Sequence, residues 1–442
     1  MKLISNTSTV KPLIIALTAV FTFVVPCTNA ATLAITNATI HTVTEQGTIN
    51  NGTVIIENGK ITAILSAKES EAVKADKIID AEGKILTPGL IGSMNQLGLV
   101  EVGAVSTTRD AADKKADITF DASLAFNPKS TVIPYSRKGG ITRSIVSPYG
   151  GESIFKGHAF VVDLSASFDS VIAKNSAVVV ALGAKSEGSR ALDLQILANK
   201  LEDADKKLAK AKITAENSTT DANGAKGTKA KEGNAKKEDE PKRDEKIIND
   251  LLAGNTPLLV YADRATDLLV LIGLKKRFNL ELIIVGAADA ELVSKQLASE
   301  NIPVIVNAMD NLPGSFDSLH TSLTSAANLT AAGVKVILSV ADTHNMYQLR
   351  FSAGNAVANG LSKEDALAAI TANVADSFSL NAGRIAIGYA ADLVLWSADP
   401  FELSTQVEKI WIGGKEVSTT SRHDALRDRY TTQSNMPRAY TK

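Results

Sequence analysis

The chain has 442 residues, 47 Lys and Arg against 48 Asp and Glu, and a formal net charge of −1. So even a balance gives no electrostatic ground for a nucleic-acid or anionic-membrane partner, while 45% hydrophobic residues suffice for a sizeable core. The length suits one large domain with a satellite, or two domains; five His, one Cys and 5% aromatics are scant material for a metal site or a stacking platform.

Residues 1–30 read as an export signal. Lys2 and Lys11 form a positive start, Pro12 to Val25 is an uncharged apolar stretch, and Thr28-Asn29-Ala30 offers small residues before a cleavage point at Ala31. The stretch is shorter than the roughly 20 apolar residues a membrane span takes, which disfavours a retained anchor. Pro26 beside Cys27 fits a lipidation box poorly. Cleavage removes Cys27 and two lysines but no acid, moving the net charge from −1 to −3. A cysteine-free exported chain is expected in a bacterial periplasm or secreted, with no disulfide and no membrane contact after cleavage.

From Leu33 to Ile85 short β-rich runs alternate with turns. Val54 to Ile64 surrounds Asn58-Gly59, the strongest short hairpin signal, and Ile78 to Ile85 repeats the pattern around Glu82-Gly83. Thr87-Pro88-Gly89 then marks a break. Beyond it, apolar strands are expected at Ala177–Leu182, Leu258–Tyr261, Leu282–Val285, Pro303–Val306 and Val334–Leu338, with helices at Ala265–Phe278, Asp289–Ser299 and Ser322–Ala332. Continuous apolar strands between amphipathic helices predict a parallel sheet covered by helices, either a barrel or a doubly wound sheet. Residues 202–246 are dense in Lys, Glu, Asp and Ala; the helix starting near Arg190 runs into them, and 215–243 reads as a disordered, solvated insertion. Strand–turn–strand patterns return at Gly388–Trp396 and Val407–Val417, so the two chain ends are expected to meet in one small sheet domain.

These residues together resemble the amidohydrolase superfamily, most closely its exported imidazolonepropionase-like group. The resemblance rests on Asn58-Gly59-Lys60-Ile61, Ile79-Asp80-Ala81-Glu82-Gly83-Lys84 leading to Pro88-Gly89-Leu90-Ile91, and Ala262-Asp263-Arg264-Ala265. It extends to His344-Asn345 with Leu349-Arg350-Phe351-Ser352-Ala353-Gly354-Asn355, to Gly388 through Trp396, and to Trp411-Ile412-Gly413-Gly414-Lys415. It implies an α/β architecture: a TIM-like (β/α)8 barrel over residues 88–379, and a composite β-sandwich from residues 31–87 and 380–442. It also implies divalent metal, such as zinc, held at the C-terminal ends of the barrel strands and ionising a water for attack on a non-peptide carbon–nitrogen bond.

The ligand positions carried over from the family are substituted. Met94 and Gln96 stand where the resemblance places a His-x-His pair, Tyr261 where a third imidazole belongs, and Ala288 where a fourth does. The family's catalytic Asp falls at Ala341 or Asp342, depending on one residue of register. A thioether and an amide oxygen are poor primary ligands for a borderline divalent ion, so no cofactor is expected. The remaining candidates are Asp342 with His344 as an acid/base pair, and Tyr261, Asp263, Arg264 and Gln96 as pocket residues. Loop orientation and helix capping are the competing roles for the first two. Of the other histidines, His41 falls in the expected sandwich, His423 in the C-terminal tail, His158 on or beside a strand, and His320 just before a helix, in a capping or exposed position.

Two functions follow from this reading. One is a non-catalytic barrel acting as a binding module, or as partner subunit of an intact homologue or of itself. The other is a hydrolase with a mononuclear or metal-free site around Asp342 and His344.

Overall fold

The computed structural model describes residues 31–69, 73–183, 188–340 and 342–431, apart from 222–241. The expected export signal, Ala341 and most of the charged insertion lie outside the described residues. Among the described residues no helix is long and apolar enough to cross a membrane.

The first five strands are β1 (Leu33–His41), β2 (Thr48–Glu57), β3 (Lys60–Leu65), β4 (Lys77–Asp80) and β5 (Ile85–Pro88). Strands β2 and β3 form the expected hairpin, with Asn58 at φ 51° and Gly59 at φ 76°. Both central residues take the left-handed region that a two-residue hairpin needs. The Glu82-Gly83 turn does something else. Strands β4 and β5 do not pair with each other; both run parallel to β1, at Leu33–Thr36 and Thr39–Ile40. Gly83 N–H donates to the Asn37 carbonyl at 2.8 Å, so the turn is a jog within one line of chain. The dipeptide specified a tight turn but not the partner of the strands around it.

The barrel follows: β6 (Leu90–Asn95), β7 (Ile141–Val146), β8 (Phe155–Asp163), β9 (Val171–Ala181), β10 (Leu258–Ala262), β11 (Leu282–Gly286), β12 (Val304–Val306) and β13 (Val336–Leu338). They pair in chain order into an eight-stranded sheet that is nearly closed. Between edge strands β13 and β6, the Ile91 N–H donates to Ile370 O at 2.9 Å and Asn373 Nδ2 to Val336 O at 2.7 Å.

The sheet departs from the expected all-parallel order at one place. Strand β8 is antiparallel to both β7 and β9. Its link to β9, residues 164–170, is far too short for a parallel crossover of a dozen or more residues.

Helices α1 (Val132–Arg137), α2 (Arg190–Asp221), α3 (Arg243–Leu252), α4 (Ala265–Phe278), α5 (Ser294–Ser299), α6 (Ser325–Ala331), α7 (Leu349–Ala358), α8 (Lys363–Ala369) and α9 (Ala372–Ser377) precede β14 (Leu393–Trp396). Then come β15 (Val407–Ile412), β16 (Lys415–Glu416) and α10 (Arg422–Thr431). The backbone of α2 stays helical to Asp221, into the stretch read as disordered from 215. Lys206 to Glu216 is rich in the strong helix formers Lys, Ala and Glu, and the helix they carry runs on through the weaker Asn217 to Asp221. The charged sides of α2 and α3 meet through Lys200–Asp244 and Lys207–Glu245.

The two ends of the chain are joined by main-chain bonds. Strand β14 lies antiparallel to β5, with Leu393 opposite Pro88 and Trp396 opposite Ile85. The resulting sheet runs β16-β15-β14-β5-β1-β2-β3, around a core that includes Ile35, Ile40, Ile61, Leu86, Leu393 and Trp411. Arg350 on α7 is 5% exposed and is structural. It donates to the carbonyls of Pro400, Glu402 and Thr405 at 2.7–2.8 Å, and burial pushes its guanidinium down to about 10.

Candidate binding site at the barrel mouth

In a parallel barrel the C-terminal strand ends carry the chemistry. Alternation along each strand sends one set of side chains outward to the helices and the other inward. The inward set includes Ile91, Met94, Ile145, Leu259, Ile283, Val285 and Ile305, an apolar filling.

Met94 belongs to that filling: it is 7% exposed and sits in the left-handed region at φ 55°. Gln96 lies one step beyond the strand and is tied to the opposite edge of the barrel. Its N–H donates to Thr343 Oγ1 at 2.9 Å, and the Thr343 hydroxyl donates to Gln96 Oε1 at 3.2 Å. The amide oxygen is therefore engaged in holding the two edges together. Tyr261 at the end of β10 packs against the inward cluster. Burial pushes its phenol up to about 12, and a hydrogen bond with the Ser147 side chain only partly opposes that. Ala288 offers a methyl group.

A thioether in an apolar lumen, a committed amide oxygen, a neutral buried phenol and a methyl do not make a divalent-metal site, which needs imidazole, thiolate or carboxylate donors. Among the described residues no group of three or more His, Cys, Asp or Glu is arranged to hold a metal. The residues present do not fit the metal that the resemblance implies.

Asp342 and His344 are both exposed, and among the described residues no hydrogen bond or ion pair joins them. The Asp342 carbonyl accepts from Asn345 N–H at 3.0 Å and its carboxylate from Asn345 Nδ2 at 3.5 Å. Both contacts belong to the turn (Thr343–Gln348) that enters α7.

Asp263 and Arg264 line a different space, a cavity of about 470 Å³ outside the barrel axis, above the ends of β9 to β12. Ala288 lines it too, whereas Tyr261, Gln96 and Met94 do not. The N-terminal ends of α2 and α4 and the loop after β12 wall it in. Arg190, the first residue of α2, forms an ion pair with Asp317 of that loop and lies 3.6 Å from Asp267. Asp267 is 7% exposed, and burial raises its pKa despite the nearby Arg264 and Arg190. Asp289 fastens the same wall, accepting from Ala265 N–H at 2.9 Å and lying 2.7 Å from His320 Nδ1.

Sequence reading alone missed Ser147, Thr343, Arg190 and Asp267. Ser147 carries a weak signal, being the residue directly after strand β7; the others sit on loops or helix starts with none. The remaining histidines lie elsewhere. His158 on β8 is 4% exposed, with its pKa lowered by burial, and its Nδ1 has no hydrogen-bond partner among the described residues. His41 bonds Thr48 in the first hairpin, and His423 stacks on Tyr135 with ring centroids 4.4 Å apart.

Comparison with known proteins agrees with this architecture. The Amidohydrolase family matches residues 162–417, more than half of the chain. An imidazolonepropionase from Bacillus mycoides is 44% identical over 43 residues, covering 10% of each chain. A 5'-deoxyadenosine deaminase from Methanosarcina mazei is 45% identical over 65 residues, 14% of each. The amidohydrolase tasK of Hapsidospora irregularis is 29% identical over 117 residues, 25% of this chain and 12% of its own length. The matches thus span only about an eighth of these relatives. Among solved structures, an amidohydrolase from Thermotoga maritima superposes with a TM-score of 0.74 at 23% identity, over 88% of this chain and 100% of its own. An adenosine deaminase from Xanthomonas campestris with bound zinc gives 0.50 at 15% identity, over 90% and 97%. At such identities these structures speak for the fold alone. A nearly closed eight-stranded barrel, a sheet sewn from both chain ends and a family match over more than half its length lead to one assignment: the chain belongs to the amidohydrolase family.

Proposed function

We propose that this chain is a non-catalytic member of its family, a metal-free barrel that acts as a binding module or as the partner subunit of an intact homologue. The observation that carries this reading is the barrel mouth. Met94 closes the lumen at 7% exposure and the Gln96 oxygen is held by Thr343, so neither is available to hold an ion. Without a metal to lower the pKa of a bound water, nothing at the axis ionises it at neutral pH. The cavity beside Asp263 and Arg264 is the ligand space we assign to the binding role, and its position over the strand ends supports that choice. A periplasmic or secreted location is part of the same proposal, supported by the amino-terminal segment Lys2 to Ala30.

The test is the metal content of the purified mature protein, together with its activity on acylated amino acids and cyclic amides. We expect no stoichiometric zinc or iron and no turnover. One equivalent of tightly held metal overturns the proposal. Turnover that Asp342→Ala abolishes would instead establish a hydrolase acting through Asp342 and His344. Co-purification with an intact homologue separates the partner-subunit role from the binding role.

A further inference from the structure

We propose a second binding site, at the opposite end of the barrel from the mouth, for a compact organic anion: a phosphate monoester or carboxylate with a small apolar body. The site is a cleft of about 750 Å³ where the β2–β3 turn and the β15–β16 turn meet the foot of β7.

Three cations face this cleft, Lys60, Lys415 and Arg143, and none of the described residues lining it is acidic. In a chain whose charges balance almost one for one, that segregation is informative. The other lysines of the same sheet show the usual arrangement. Lys77 and Lys409 share Glu416, and Lys84 lies near Glu82 and Glu408. The side chains of Lys60 and Lys415 have no ion pair or hydrogen bond among the described residues.

Arg143 gives the cleft a fixed donor. Its side chain is 16% exposed, and Nε donates to Asp392, whose other oxygen accepts from Gly413 N–H at 2.7 Å. The Asp392 charge is thereby used behind the cleft wall. The two terminal guanidinium nitrogens take no protein partner among the described residues and are not sealed from solvent. A guanidinium held at one edge with the other edge open is pre-set for the paired oxygens of a carboxylate or phosphate. Leu33, Ile56 and Ala390 supply an apolar floor beside it. Arg143 is the third residue of β7, near the N-terminal end of its strand, so this site is independent of the function proposed above for the mouth.

The same headgroup chemistry exists in solution and on anionic lipid, and the experiment separates the two. Titration calorimetry of the full-length mature protein with phenyl phosphate at low salt is run beside co-sedimentation with phosphatidylglycerol and phosphatidylcholine vesicles. Saturable phenyl phosphate binding identifies a soluble ligand; capture by phosphatidylglycerol vesicles alone identifies a lipid headgroup. The variant Lys60→Gln with Lys415→Gln changes two exposed side chains and leaves the Arg143–Asp392 pair intact. It is expected to weaken whichever binding is seen by about tenfold or more, and raised salt is expected to weaken it further. Arg143→Lys keeps a cation for Asp392, loses the open fork, and is expected to weaken binding while the protein still folds. No binding in either arm, or binding unchanged in the double variant, overturns the proposal.

Discussion

The sheet sewn from the two chain ends and the mouth of the barrel are built from the same chain under different demands. In the sheet, Trp396 is fully buried and its indole N–H donates to Thr87 Oγ1 at 2.9 Å, across 309 residues of sequence. Asp392 is 2% exposed and has both oxygens engaged, one by Arg143 and one by Gly413. At the mouth, the positions that would carry chemistry hold Met94 in an apolar lumen and Asp342 and His344 in solvent. The contrast teaches that the residues that fold this barrel are a different set from those at its mouth, so the scaffold does not by itself dictate the chemistry placed there.

The comparison breaks most visibly on the sheet side. Trp411 is fully buried, and Trp411→Ala is expected to cost about 3–5 kcal/mol through lost burial and a cavity, read as a lower denaturant midpoint at unchanged slope. Asp392→Ala strands a part-buried guanidinium and the Gly413 N–H, with an expected loss of about 3 kcal/mol; stability regained with a compensating Arg143→Met would sharpen the assignment.

At the mouth the effects shrink. Burial pushes the Tyr261 phenol up to about 12 in the folded chain, against the ordinary value of about 10 for an exposed tyrosine. The unfolded state then loses its proton first, so stability falls as pH rises from about 10 to about 12, by on the order of 2 kcal/mol. Unfolding curves of wild type and Tyr261→Phe at pH 9 and pH 12 check this: the difference between the two proteins should change across that window. At neutral pH the same variant loses one hydrogen bond, about 1 kcal/mol. Smallest of all, His344→Ala is expected to shift stability by less than about 0.5 kcal/mol and to leave phenyl phosphate binding unchanged. A large loss there would mean that the mouth is more than a surface.

Much of the fold was legible because local chemistry and tertiary structure agree. Asn58-Gly59 asks for a hairpin and receives one, and the helix read at Ala265–Phe278 is α4, residue for residue. What was not legible depended on partners distant in sequence. Glu82-Gly83 turns as expected, yet its flanking strands pair with β1, a choice made by burial rather than by the turn. The antiparallel course of β8 is set by the brevity of its connection, which an apolar run such as Phe160-Val161-Val162 does not announce. That Met94, Gln96, Tyr261 and Ala288 stand where the resemblance puts ligands was readable. The burial of Met94, the Gln96–Thr343 tie and the displacement of the cavity toward Asp263 were not, because each depends on which face of a strand end looks inward.

The pairing of β5 with β14 has a consequence for how the molecule comes into being. Until Leu393 has been synthesised, Ile85 to Pro88 present an open strand edge, and such an edge can recruit any unpaired neighbour. Completion of this sheet therefore waits on β14. Truncations just short of residue 393 should give aggregates in place of a smaller soluble barrel, and a cell making this protein has reason to shield the nascent chain until its tail arrives.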